Sequence, residues 1–235
     1  MGVALAWPSS IQLESMHVVR PADRLPAPPR VDDGFFRRIW NHFVSPRPFD
    51  TWHEALRKQN TLVVASFEDF CVAVYHMPCL FGSIPKEQVM VIHATLAANA
   101  ARDLAGGKPY VLAGDFNIKP FDQAYALLTS GSIQNDEYLP PPYADFEPTI
   151  QEPLVSAYKA CLGAEPDFTN FAFTKYNKDC FIETLDYIFC SPHWHVQDVK
   201  RLKSKAHVDL DKPYPDQHEP SDHVLLAADL ALKKS

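Results

Sequence analysis

Glycine is scarce in this chain: 8 of 235 residues, against 21 prolines. Loops are therefore shaped by rigid punctuation, and no low-complexity linker separates two domains. No run approaches the ~18 apolar residues that a membrane-spanning helix needs. No basic region precedes the apolar start Met1–Trp7, so it does not read as a secretory leader. Ala6 also stands where a myristoylation signal takes Ser or Thr. Positive charge is lacking too. A net charge of -7 argues against a protein that coats nucleic acid by bulk attraction. It leaves room for an enzyme that handles one phosphodiester in an acidic pocket, since Mg²⁺ is held there by oxygen ligands. Five cysteines (Cys71, Cys79, Cys161, Cys180, Cys190) without any C-x-x-C spacing argue against zinc sites and disulfide frameworks. Buried free thiols in a reducing compartment are expected, so the default is an intracellular, cytoplasmic protein, with an organelle not excluded.

A composition of 46% hydrophobic and 22% charged residues suits one globular domain over residues 1–235. A Pro- and aromatic-rich insertion covers about residues 21–58. Its aromatics Phe35, Phe36, Trp40, Phe43, Phe49 and Trp52 suit packing, or docking of a partner or a base. Short apolar runs alternate with helical patterns. Gly2–Trp7 reads as a buried strand, and Asp33–Phe43 as a short helix. Thr61–Phe67 and Phe70–Met77 read as two strands about Glu68-Asp69, a hairpin pattern. Val89, Ile92, His93, Leu96, Ala100 and Leu104 give 3.6-residue spacing to a helix over Lys86–Leu104, stopped by Gly106-Gly107. Tyr110–Ala113 is a strand, Phe121–Thr129 a helix and Leu154–Leu162 a weaker helix. Strands at Thr184–Cys190, His195–Leu202 and His223–Leu232 close the chain. The pattern predicts α/β architecture, with two sheets packed face to face and covered by helices.

Four short segments place polar residues where a core would not want them: His76 in Tyr75–Cys79, Asp115 and Asn117 in Gly114–Asn117, Asp186 in Leu185–Phe189, and Asp222-His223 after Ser221. Each has a plain reading as a structural histidine or a turn. A lone Asp inside an apolar strand, however, needs a partner, because an unpaired buried carboxylate is costly. His223 is a candidate for Asp186. Together the set suits phosphodiester hydrolysis. Asp115 could orient and deprotonate a water, while Asn117 on the same side contacts phosphate or a metal-bound water. His223, braced by Asp186, could carry positive charge against the phosphoryl oxygens. Asp222 offers an oxygen to a metal, and His76 a second cationic or proton-donating contact. His193-Trp194-His195 has no third ligand in view and reads as a surface turn.

Gly-Asp-Phe-Asn after an apolar strand, Leu-Asp-Tyr-Ile-Phe about 70 residues later and Ser-Asp-His before a last strand resemble the endonuclease/exonuclease/phosphatase superfamily. Glu165–Phe171, Phe181, Gln59-Asn60-Thr61 and Tyr125–Leu128 resemble its deadenylase, nocturnin, angel and 2′-phosphodiesterase branch. The resemblance implies a four-layer α/β sandwich of two mixed sheets flanked by helices, Mg²⁺ (or Mn²⁺) as cofactor, and RNA or another phosphodiester as substrate. Residue by residue, it implies that His76 contacts the scissile phosphate and that Asp115 and Asn117 orient water and bind metal. Asp186 would brace the catalytic His223, and Asp222 would be a metal-side carboxylate. Phe181 falls where the branch stacks an aromatic on the terminal base; ordinary core packing is the other reading.

The family pattern also begins with an Asn-bearing strand, a helix and a Leu-Gln-Glu whose Glu is the principal metal ligand. Neither precedes Gly2–Trp7, so the first strand–helix–strand portion is expected to be lacking. Gln12-Leu13-Glu14 has the letters but follows this strand, and the role is not transferred to it. Three readings stand: part of an active RNA 3′-end-processing hydrolase, an inactive relative whose open sheet edge a protein partner covers, or a hydrolase with an altered metal shell built from Asp115, Asn117, Asp222 and His223.

Overall fold

The computed structural model describes residues 2–26, 49–173 and 180–233. The described strands are β1 (Leu13–Val19), β2 (Leu62–Phe67), β3 (Cys71–Tyr75), β4 (Tyr110–Asp115), β5 (Val155–Ser156), β6 (Asn170–Phe173), β7 (Cys180–Glu183), β8 (Asp186–Cys190), β9 (Trp194–Val199) and β10 (Ala228–Leu232). The helices are α1 (Thr51–Arg57), α2 (Ile84–Ala105), α3 (Gln123–Ser130) and α4 (Ala157–Leu162). A six-stranded sheet runs in the order β1-β2-β3-β4-β8-β5, and β9–β10 and β6–β7 form two further pairs. Among the described strands only β3 and β4 run parallel, because α2 carries the chain across between them.

Alternation along the central strands assigns the two faces. Leu62, Val64, Ala73, Tyr75, Leu112 and Phe189 pack under α2 and α3. On the other face Val111, Ala113, Ile188 and Cys190 meet Val196 and Val199 of β9 and Leu230 of β10. This is the expected sheet-on-sheet α/β sandwich. An Ala-rich surface lets α2 sit close on the sheet, and Gly106 (φ 62°) closes the helix in the left-handed region.

Several boundaries differ from expectation. Gly2–Trp7 is no strand: it pairs with nothing in the sheet, and Trp7 packs edge-on to Phe67 with centroids 5.7 Å apart. The edge strand is β1, which the period misses because Glu14 through Val18 are exposed on both faces. Its backbone ladder to β2 holds it, from Leu13↔Phe67 to Val19↔Leu62. The Leu154–Leu162 segment divides into β5 and α4, Ser156 closing the strand before the helix begins. The last strand starts at Ala228, and His223 makes only an isolated bridge to Asn170. The helix expected at Asp33–Phe43 lies outside the described residues. Within the insertion, Trp52 packs: it stacks on Tyr143 at 4.5 Å and its Nε1 donates to Pro141 O at 2.9 Å, while Phe49 is exposed. All five cysteines are free. Among the described residues no helix is long and apolar enough to cross a membrane.

Candidate active site

The site forms where β3 and β4 end and β8 begins. Antiparallel register sets Asp115 directly opposite Asp186. Gly114 makes that approach possible: its φ is +143°, and a Cβ there would lie 2.0 Å from Tyr75 O. Beyond the strands, Met77 N donates to Asp115 O at 2.9 Å, and Asn117 Nδ2 donates to Met77 O at 3.1 Å. Asn117 adopts φ 51°, a turn conformation that its short amide tolerates. Its N–H caps Asp115 Oδ1 at 2.9 Å.

His76 leaves the end of β3 with its Nε2 3.4 Å from Asp115 Oδ2. Asn60 Nδ2 donates to His76 O at 2.7 Å and fixes that backbone. Across the cleft, His223 Nδ1 donates to Asp186 Oδ2 at 2.8 Å. The same oxygen accepts from Thr169 Oγ1 at 2.7 Å. Thr169 is fully buried, and its hydroxyl also accepts from Leu185 N at 2.9 Å and Asp186 N at 3.0 Å. The segment carrying His223 is tied to β6 by Phe171 N→Asp222 O and Val224 N→Thr169 O, each 2.8 Å. Hence the start of β6, from Thr169 to Phe171, positions both members of the dyad.

These contacts shape the charges. The Asp186 carboxylate beside His223 pushes the imidazole up to about 9, so it is cationic at neutral pH. Burial, reinforced by the like charge of Asp186, pushes the Asp115 carboxyl above the ordinary aspartate range; His223, the Asn117 N–H and His76 oppose that. One ligand atom each from Asp115, Asp186 and His223 lies within 4.8 Å of the others. As a metal shell this trio fits poorly, because His223 Nδ1 and Asp186 Oδ2 are engaged with each other. Oxygen donors remain on Asp115 and on Asn117 Oδ1, a partial shell of the kind Mg²⁺ accepts when water and phosphate complete it.

Of the residues expected here, His76, Asp115, Asn117, Asp186 and His223 converge. Asp222 stands beside them but outside the trio, its Oδ2 3.4 Å from Asn170 Nδ2. Phe181 lies on β7, half-buried, with the Lys119 ammonium 5.8 Å from its ring centroid. Glu14 takes no part: it pairs with Lys108 at 2.5 Å, at the opposite end of β4. His193 and His195 are not joined in any metal-binding group among the described residues. Sequence reasoning gave no role to Thr169, Asn60 or Gly114, although all three sit within stretches singled out by resemblance.

The sequence pattern of the Endonuclease/Exonuclease/phosphatase family matches residues 1–223. The chain belongs to this family. It is 32% identical over 155 residues to 2′,5′-phosphodiesterase 12 of Mus musculus, covering 62% of this chain and 23% of that protein. It is 33% identical over 124 residues to the probable CCR4-Not complex 3′-5′-exoribonuclease subunit Ccr4 of Vairimorpha ceranae, covering 53% and 24%. Among solved structures, ANGEL2, a 2′,3′-cyclic phosphatase in complex with adenosine-2′,3′-vanadate, superposes with a TM-score of 0.61 at 16% identity, over 94% of this chain and 68% of that one. That likeness shows the fold. The chain spans about a quarter of the length of the curated relatives it matches. Its place is in the deadenylase, nocturnin and 2′-phosphodiesterase branch of the family.

Proposed function

We propose that this site hydrolyses phosphodiester bonds of RNA, working from the 3′ end, with a divalent cation, Mg²⁺ or Mn²⁺. The observation that carries the reading is the gathering of Asp115, Asp186 and His223 within 4.8 Å, with one imidazole braced by one carboxylate. Asp186 is committed to His223 and Thr169, and holds the imidazolium in one orientation. His223 then presents positive charge where a phosphoryl oxygen gains negative charge. Asp115 keeps Oδ2 clear of the backbone donor on Oδ1, placed to orient a water and accept its proton. His76, held through Asn60, offers a further contact to the phosphate. Oxygens of Asp115 and Asn117, with Asp222 from the His223 side, would hold the cation, which supplies charge neutralisation at the phosphate. Relatives named as a phosphodiesterase and an exoribonuclease support the choice of bond and polymer.

A second reading, a non-catalytic binding subunit, draws on β1. Among the described residues that strand is an unpaired sheet edge with Met16 and Val18 exposed, a place where a protein partner would add a strand. One assay separates the readings. A labelled oligo(A) is incubated with the chain and Mg²⁺ or Mn²⁺, beside Asp115→Ala and an EDTA control. Stepwise shortening from the 3′ end is expected, reduced roughly 10²–10⁴-fold in the variant. Cleavage no greater than that of Asp115→Ala would overturn the hydrolase reading.

A further inference from the structure

Two residues beyond Asn117, the chain builds a feature that the hydrolytic residues do not use. The Lys119 ammonium sits between two phenyl rings, 5.5 Å from the Phe121 centroid and 5.8 Å from that of Phe181. Phe121 is 74% exposed, so its ring is not serving the core. Lys119 Nζ also donates to Glu183 Oε1 at 2.9 Å, and Lys205 Nζ stands 4.0 Å from Glu183 Oε2. Two ammonium groups thus share the Glu183 carboxylate, while Asp122 Oδ2 accepts from Lys119 N at 2.8 Å and Asp167 Oδ2 from Lys205 N at 3.1 Å.

Register connects this feature with the site. In the β6–β7 pair, Asn170 opposes Glu183 and Ala172 opposes Phe181, so these four side chains share one face. Phe171 and Ile182 point the other way, into a separate core with Phe168 and Tyr214. The face bearing Phe181 and Glu183 is therefore that of Asn170, whose amide meets Asp222 next to His223. From the opposite side, Lys119 reaches Glu183 from the turn that carries Asp115 and Asn117. The ion pair joins the two walls of the cleft, with an exposed ring at its outer end.

We propose that Phe121 and Lys119 form a nucleotide-docking ledge, the ring stacking on a nucleobase of single-stranded RNA while the ammonium contacts the adjoining phosphate. The ledge rests on the phosphodiesterase reading and extends it to substrate choice: the strand must carry bases. A flat ring accepts any base, and the lysine serves as a point charge, so recognition follows stacking strength and not base identity.

The test measures binding of 5′-labelled oligo(A), and of an abasic strand of equal length and charge, by fluorescence anisotropy in an Asp115→Asn background. Adding Phe121→Ala is expected to weaken oligo(A) roughly 5- to 100-fold and leave the abasic strand unchanged. Phe121→Trp restores the preference. Lys119→Gln weakens both strands and lowers the slope of log K against log salt by about 0.7. Equal binding of the two strands by the parent, or oligo(A) binding indifferent to Phe121→Ala, would overturn the ledge. Hydrolysis by the chain with Asp115 intact is scored in parallel. If base preference depends on Phe121 while oligo(A) survives, the hydrolase reading fails and the ledge stands.

Discussion

Gly114 offers the sharpest test of how the fold makes the site. A methyl group added there would lie 2.0 Å from Tyr75 O, 3.0 Å from Tyr75 C and 3.3 Å from Tyr75 N, all backbone atoms of β3. A Cβ does not approach a heavy atom within 3.0 Å, so β3 and β4 must part by at least the difference, about 1 Å. Rotating a side chain gives no relief. The φ of +143° adds backbone strain of ~1–3 kcal/mol for a residue with a Cβ. Overpacking adds about 1–3 kcal/mol, so Gly114→Ala should lose roughly 2–6 kcal/mol in total. That is a large share of a typical domain's ~5–15 kcal/mol. The displacement falls between His76 and Asp115, which are 3.4 Å apart, and a shift near 1 Å costs about 10²-fold in rate. Gly163→Ala is the control: φ is +81° with nothing within 4 Å, so it pays strain alone, about 1–2 kcal/mol. Urea unfolding followed by circular dichroism, with hydrolysis measured on the same samples, compares the two. Equal midpoints for the two variants would refute the packing argument.

The dyad predicts a distinct pH signature. His223 binds its proton more tightly folded, at about 9, than at its ordinary 6.5, so its stabilising effect is complete below 6.5 and is lost as pH rises through 9. Allowing for solvent at its partly exposed ring, the effect is about 1–3 kcal/mol. Asp186→Asn should bring the imidazole titration, followed by proton NMR, down toward 6.5; an unchanged midpoint would show that another group holds the proton. His93 has the opposite sign. Burial lowers it to about 4, and it sits neutral between Tyr75 OH at 3.0 Å and Ala55 O at 3.1 Å. The fold therefore loses about 3 kcal/mol as pH falls from 6.5 to 4. His93→Phe should be less stable at pH 7, having left the buried Tyr75 hydroxyl unpaired while Ala55 O keeps only Lys58 N, yet flatter in its acid dependence; a slope matching the parent's in urea titrations at several pH values would contradict the assignment.

The central strands and α2 were legible because their burial is one-sided or complete, and periodicity reports that directly. Asp186 was legible for a different reason: a carboxylate in an apolar strand demands a partner, and His223 supplies it at 2.8 Å. Strand β1 was hidden, since its stability comes from backbone pairing with β2, to which side-chain pattern is blind. Gly2–Trp7 misled in the reverse sense, being apolar without a ladder. Thr169 could not be assigned from composition. Its hydroxyl matters only because folding brings two N–H groups and one carboxylate of the Leu185-Asp186 segment around it. The short β6 and β7 strands carried too few residues for alternation to register.

The same register that builds the site also divides labour between its two aspartates. Opposed across β4 and β8, Asp115 and Asp186 repel, and one oxygen of each is already taken from the cleft. Asp186 receives two short donors on Oδ2, one of them cationic, and so is held as the brace. Asp115 receives a single backbone N–H on Oδ1 and a longer contact from His76 on Oδ2, so burial and repulsion raise its proton affinity. On the proposed reading, the unequal supply of donors, rather than any difference between the side chains, makes one carboxylate a fixture and leaves the other to act on water. Thr169 tips that balance. Its hydroxyl donates to Asp186 while accepting from the backbone beneath it, which stabilises the brace and leaves Asp115 as the group poised to exchange a proton.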